Sequence, residues 1–274
     1  MKRSLAVIAN YVLLILVTII SVAPFIWMLS TAFKGPGDDI FAFPPRFIPS
    51  DPRPGNFAAV FKAIPLARYF LNSFIIVGVS IALNVALSLL AAYPLARMKF
   101  RGSRFIFIAI LSTMMIPTQL VMIPNFVLTV QLGLKNNYLG VILPGAVTAF
   151  GIFLMRQALL AIPSSLEEAA WIDGAGPGRI LFSVLMPLVK PTTAALAVFT
   201  FVGTWGDFLW PLLVIDKDSM LTVPLGVQKL QGTFMNDWRL ISAGTILSMV
   251  PILIFFCFTQ RYFIEGAMTG SVKE

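Results

Sequence analysis

Side-chain chemistry needs ionisable or nucleophilic groups brought together, and this sequence supplies few of them. It holds no histidine and a single cysteine, Cys257, so the commonest metal ligand and general base are missing. No disulfide and no metal site are expected. Two stretches still carry residues that could act. In TFVGTWGDFLWPLLVI, Asp207 is the only acid of an otherwise apolar run. A charge at the centre of a membrane-crossing helix costs roughly 2.5–3.5 kcal/mol, so this residue must face protein or water. Trp210 lies three positions on and shares its face approximately, while Trp205 and Phe208 line a neighbouring one. A carboxylate that accepts hydroxyl protons beside aromatic rings suits a polyhydroxylated ligand. A structural reading stands beside it: Asp207 paired inside the bundle, Pro211 kinking the helix and the tryptophans anchoring it near an interface.

The second stretch is EEAAWIDGAGPGRILFSVLMP, from Glu167 to Pro187. Ser164 and Glu167 have the spacing of a capping box, and Glu167 and Glu168 lie where acids favour the positive end of a helix dipole. Gly174 follows Asp173 and can take the left-handed conformation that ends a helix, and Pro177 can open the next one. The expectation is a short helix, a sharp bend and a second helix that leads through Pro187 into the membrane. Ala169 and Ala170 would let a partner approach the backbone, and Trp171 and Ile172 offer apolar area. Such a helix could seat in a groove of a soluble protein or lie solvated at the interface. GAGPG is no phosphate loop, since it follows a helix and has no P-loop lysine.

The elements that must position these residues are membrane helices. Hydrophobic residues make up 58% of the 274 and charged ones 12%, against about a quarter charged in soluble domains. Uncharged windows near the 20 or so residues that cross a bilayer give six spans, approximately 8–32, 69–95, 105–127, 138–158, 190–215 and 240–262. Together they form a single transmembrane domain over residues 1–274, an all-α integral membrane protein. The apolar run after Lys2 and Arg3 is too long for a cleaved signal and is read as a retained helix. The net charge of +8 sits in loops without a soluble basic cluster, so the expected partner is membrane lipid and no nucleic acid. ARMKFRGSR, with Arg97, Lys99, Arg101 and Arg104, marks a cytoplasmic loop. Both termini are then cytoplasmic, and the Glu167 segment, between spans four and five, is on the same side. Residues 34–68, rich in proline and aromatics, form an irregular semi-rigid cap outside, and residues 216–239 form a second outer loop. In the second span Asn72, Ser80, Asn84 and Ser88 share one broad face, open to two readings: hydrogen bonds between helices or a polar translocation path.

A resemblance joins these observations. Glu168 to Gly174, followed nine residues later by Val184-Leu185-Met186-Pro187, resembles the EAA signature of permease subunits of binding-protein-dependent ABC importers: E-A-A, three residues, G, nine residues, I-x-L-P. Val184 and Met186 stand for the usual isoleucine and leucine. WGDFLWPLLV is similar to a W-N-x-F-L-W-P run of the carbohydrate-uptake, maltose-type branch, with Gly206 for asparagine, and the tail QRYFIEGAMTGSVKE is similar to that branch's tails. The resemblance implies a non-catalytic subunit in a bacterial or archaeal cytoplasmic (inner) membrane. It would pair with a second homologous permease as a heterodimer, with two cytoplasmic ATPases and with an extracytoplasmic solute-binding protein. ATP and magnesium would bind the ATPases, leaving no cofactor in this chain. Glu168 to Gly174 would be the coupling helix, with Glu167 and Pro187 beside it. Disaccharides, larger oligosaccharides, glycosylglycerols and glycerol phosphates all fit as solutes. The competing class, a self-sufficient secondary transporter or channel, would need buried ionisable groups to couple an ion gradient, and Asp207 is the one acid within the spans.

Overall fold

The computed structural model describes residues 2–232 and 236–269, with side chains described for 7–232 and 236–260. The end of the tail motif, from residue 270, lies outside the described residues. Among the described residues the chain is helical and contains no strand. In order come α1 (Lys2–Phe33), α2 (Gly55–Ala63), α3 (Leu66–Arg97), α4 (Ser103–Thr113), α5 (Thr118–Gln131) and α6 (Tyr138–Ile142), which runs on as a 3-10 turn to Gly145. Then follow α7 (Ala149–Leu160), α8 (Ser165–Ile172), α9 (Pro177–Arg179) with a π-helical turn over Ile180–Leu185, and α10 (Met186–Leu188). The last are α11 (Lys190–Trp205), α12 (Leu209–Val214), α13 (Val223–Gln228) and α14 (Trp238–Thr269).

Among the described residues, three helical stretches are long and apolar enough to cross a membrane, Val7–Phe33, Leu66–Arg97 and Trp238–Gln260. Three further helix pairs qualify only when each is taken as one bent span. The third expected span, drawn as one helix, is broken between α4 and α5 by a 96° bend. Pro117 has no N–H to give the carbonyl of Thr113, where α4 ends, and its ring crowds that carbonyl. Pro191 stands in the same relation to Pro187 at the 79° bend before α11. Pro211 stands so to Asp207, in the gap between α11 and α12 that interrupts the fifth expected span. The fourth is bent by 49° after Gly145, where Thr148 caps α7 by accepting the Gly151 amide at 3.0 Å.

The chain divides into two compact units, one of residues up to Ala67 together with Gly226–Val250, the other of Arg68–Leu225 together with the chain from Pro251. In the first unit, α1 is exposed from Val7 to Val22 and apolar all round, as a membrane span is. Beyond it the proline-rich segment is irregular to residue 54, and within the expected cap only the short α2 is helical before α3 begins. Asn56 Nδ2 donates to the carbonyls of Ala32 and Lys34 at 2.8 and 3.0 Å, satisfying acceptors that the end of α1 leaves open. Asp38 draws the loop together by accepting the Gly35 and Ser50 amides at 3.1 and 3.0 Å. Arg239 donates to the Asp38 carbonyl at 3.0 Å.

The second unit is built on α3. Asn84 Nδ2 donates to Thr200 Oγ1 of α11 at 3.0 Å, and its Oδ1 accepts from Ser88 and from the Thr148 amide at 3.0 and 3.2 Å. A Cβ at Gly151 would land on the Ser88 hydroxyl and 2.9 Å from Asn84 Oδ1, so glycine is what lets α7 approach this node. Asn72 donates to the Ser219 and Leu221 carbonyls and accepts from Tyr138 Oη at 2.7 Å. Where α5 hands over to α6, Asn136 accepts the Asp216 and Lys217 amides at 2.6 and 3.0 Å. The Asp216 carboxyl lies below its ordinary value because Lys135 donates to it.

The Asp38 carboxyl is also held below its ordinary value, chiefly by the Ser50 amide, with burial opposing in part. A folded value below the unfolded one means that the loop is stabilised above about pH 4 and loses that support as pH falls through the depressed value. Hydrogen exchange over residues 34–54, corrected for intrinsic rates, is therefore expected to stay level from neutral pH to about pH 4 and rise below it. In Asp38→Ala it should be fast already at neutral pH, with no acid step. Unchanged exchange in that variant would remove the carboxylate from this role.

Candidate functional site

Two places gather the residues singled out by sequence. The first is α8 and the turn behind it. Ser164 has the expected spacing from Glu167, yet its backbone is helical and its side chain makes no capping bond. The capping box is absent because Glu167 has a stronger partner. Its Oε1 lies 2.6 Å from Arg97 Nε at the end of α3, and the two side chains are 11% and 12% exposed. Arg97 Nη2 also donates to the Ile162 carbonyl at 2.7 Å. One guanidinium thus fastens the end of α3 both to the turn before α8 and to α8 itself.

The C-terminus of α8 closes as its sequence suggests. Gly174 sits at φ +77°, its amide donates to the Trp171 carbonyl, and the Ala175 amide donates to Ala170 at 2.9 Å, the double bond of a Schellman motif. The hydrophobic contact that accompanies such a cap is present too. Ala175 is buried and Ala170 packs against the same cluster, which includes Tyr93, Met155, Leu159, Ile180 and Leu185. Residues of α3, α7 and the π-helical turn thereby make a platform under one face of α8.

The other face is open. Trp171 and Ile172 are 52% and 87% exposed, and Glu168, Ala169, Asp173, Gly174 and Pro187 are exposed as well. The structure therefore divides the predicted set. Glu167 is turned inward onto Arg97 and Ala170, half-buried, packs on the apolar cluster.

The second place is a cavity of about 550 Å³ in the second unit, lined by Asp207 and Trp210 together with Ser80, Asn125, Thr204 and Thr222 among others. Asp207 reaches it because the helix stops at Trp205 and restarts at Leu209. In the gap the Asp207 carboxylate accepts the Trp210 amide at 3.3 Å. Trp210 Nε1 donates to the Gly140 carbonyl at 3.2 Å, so the indole's one donor is satisfied and the ring contributes apolar surface. Thr222 is 5% exposed and its hydroxyl has no hydrogen-bond partner among the described residues, a state that costs about 1–3 kcal/mol when nothing else satisfies it.

Three residues expected on a solute path are not in this cavity's wall. Trp205 is 2% exposed, stacked on Phe201 with ring centres 5.5 Å apart and tilted against Phe74 at 4.9 Å. Asn84 makes the interhelical node with Thr200, Ser88 and Thr148, whereas Ser80 of the same stripe lines the cavity. Phe208 is half-buried outside the lining. Conversely, Arg97 escapes a sequence reading as one more loop cation, and Asn125, Thr204 and Thr222 read as ordinary polar residues. Only their meeting from separate elements gives them meaning.

Residues 84–266 match the family described as binding-protein-dependent transport system inner membrane component. The chain is similar to the arabinooligosaccharides transport system permease protein AraQ of Halalkalibacterium halodurans, 35% identical over 279 residues and 100% of both chains. It is also similar to the lactose transport system permease protein LacG of Rhizobium radiobacter, 33% identical across 100% of this chain and 98% of that one. Among solved structures, a chain of a bacterial ABC transporter involved in the import of the acidic polysaccharide alginate has the same fold. Its TM-score is 0.84 at 24% identity, over 96% of this chain and 98% of that one.

Removing one partner of a buried ion pair strands the other, at about 3–5 kcal/mol. Arg97→Glu and Glu167→Arg are each expected to lower the unfolding temperature of the purified protein in detergent, and the double swap should recover a large part of the loss. Additive effects in this double-mutant cycle would show that the pair does not hold α8.

Proposed function

This chain belongs to the family of binding-protein-dependent transport system inner membrane components, a multi-pass membrane protein, and from that premise we propose how it works as a permease subunit of an ABC importer. The subunit is non-catalytic and serves sugar uptake. In the proposed arrangement it crosses the cytoplasmic membrane of a prokaryotic cell six times, each bent helix pair counting as one span, with both termini in the cytoplasm. A second homologous permease completes the path as a heterodimer. Two cytoplasmic ATPases hold the ATP and magnesium, so the chain needs no cofactor of its own, and an extracytoplasmic solute-binding protein delivers the sugar.

The observation that carries this reading is the two-faced construction of α8. A short helix presents Trp171 and Ile172 to solvent while its other side is fixed by a buried ion pair and a Schellman cap. Apolar area displayed on a rigid mount is what an ATPase cleft needs in order to grip a helix. Glu168, Ala169, Trp171 and Asp173 form the gripped surface in this proposal, with Glu167, Ala170 and Gly174 holding that surface in place and Pro187 lying on the return to the membrane. When the ATPases close on ATP, α8 moves with them, Arg97 carries the movement into α3, and the bundle rocks between inward-open and outward-open states. The Asp207 cavity is the proposed stretch of sugar path in this subunit, with Ser80 and Trp210 in its wall. Phe208, Trp205 and Asn84 support it from behind.

Co-purification tests the docking. Ile172→Asp and Glu168→Lys are expected to reduce recovery of the ATPases with this chain at least fivefold, an order of effect usual for truncating an interface anchor, while membrane insertion stays intact. Gly174→Val, which forces a β-branched residue to positive φ, should do the same through the cap. Full ATPase recovery with all three variants would remove α8 as the docking element. ATP-independent sugar uptake by this chain alone in vesicles would favour a secondary transporter instead.

A further inference from the structure

The wall of the Asp207 cavity is uneven in charge. Hydrogen-bonding side chains reach it from separate elements: Ser80 from α3, Thr118 and Asn125 from α5, Thr204 from the end of α11, Asp207 from the gap after it, and Thr222 from beyond α12. Among the described residues that line it, Asp207 carries the only charge and none is a lysine or arginine. Resting on the reading of this cavity as part of the sugar path, we propose that it is a charge filter, accepting a neutral sugar ring and refusing one that bears a carboxylate or phosphate.

The chemistry follows from what each group has left to give. The Asp207 carboxylate accepts the Trp210 amide and keeps lone pairs for a ligand hydroxyl. The buried Thr222 hydroxyl, unpartnered among the described residues, gains a partner when a hydroxylated ligand enters. The Trp210 ring, its N–H already bonded to Gly140, adds an apolar surface for the C–H groups of a sugar. A volume of about 550 Å³ lies within the usual range of small-molecule sites, about 300–1,000 Å³. An anionic sugar would meet the same carboxylate with no lining cation to offset the repulsion, and inside a protein two like charges a few ångströms apart interact far more strongly than in water. Sharing a fold with an alginate importer does not bear on this, because the lining side chains set the sign of the charge and the fold does not.

The filter is tested by saturation-transfer NMR on the detergent-solubilised permease–ATPase complex without the binding protein, so that only the path is sampled. The probes are methyl glucoside and methyl glucuronide at neutral pH, which differ by a CH2OH against a carboxylate. The wild-type complex is expected to bind the glucoside roughly tenfold or more tightly than the glucuronide. Asp207→Asn, which keeps an amide oxygen for the Trp210 cap, should bring the two affinities within about twofold, and Thr204→Lys should reverse the preference by supplying a cation. Equal or tighter glucuronide binding by wild type, or discrimination that survives Asp207→Asn and Thr204→Lys, overturns the filter alone. Absence of binding by either sugar overturns the filter together with the sugar-path reading of the cavity, while ATPase co-purification judges the importer reading separately.

Discussion

The Arg97–Glu167 pair is the contact on which the arrangement of the second unit turns. A guanidinium removed from water needs a nearby acid and further acceptors, since ion burial is costly unless charge and hydrogen bonds are both matched. Arg97 finds the Glu167 carboxylate at 2.6 Å and the Ile162 carbonyl at 2.7 Å. Because Ile162 precedes α8 and Glu167 lies within it, the cation holds the helix at two points and cannot follow one while releasing the other. The Schellman cap at Gly174 and the packing of Ala170 and Ala175 fix the opposite end. An eight-residue helix is too short to be stable by propensity alone, so these tertiary contacts are what keep α8 helical while its outer face displays apolar side chains.

The cavity arises from the same kind of constraint applied to the backbone. In an apolar environment every N–H and C=O needs a partner. A helix therefore breaks only where the freed groups are met in another way. At Pro211 the Asp207 carboxylate meets the Trp210 amide, and the Trp210 indole in turn meets the Gly140 carbonyl. The break opens space and leaves a carboxylate beside it. Non-helical backbone inside a membrane protein is tolerated where it lines a cavity or is buried in protein, and this gap does the first. Trp205 is packed between Phe201 and Phe74, so the end of α11 is held while the residue two positions on faces the cavity.

Several features were legible in the linear chain for plain physical reasons. Long uncharged windows have no other stable setting, so helices through the stretches that form α1, α3 and α14 were to be expected. Glycine after a short helix and proline at the start of the next act through their own backbones, and Gly174 and Pro177 stand as expected. What was not legible depended on partners distant in sequence. Ser164 and Glu167 match a capping box, but the box lost to Arg97, some seventy positions earlier. Pro24, Pro94, Pro124 and Pro251 lie within continuous helices, while Pro117, Pro191 and Pro211 sit at breaks. The proline's chemistry is identical in each case, and the surrounding contacts decide.

The sequence by itself determined that the chain belongs in a membrane, that it holds little side-chain chemistry of its own, and that one charged, alanine-rich segment interrupts the apolar spans. Composition, period and the local stereochemistry of glycine and proline suffice for those, because they act within a few residues. Only the tertiary structure decided which faces are free. It turned Glu167 and Ala170 inward and Trp171 and Ile172 outward, assigned Asn84 to a node between helices, and set Asp207 beside hydroxyls from other helices. Burial and hydrogen-bond satisfaction are settled by neighbours in space, and a helix pattern names a face without naming what lies against it.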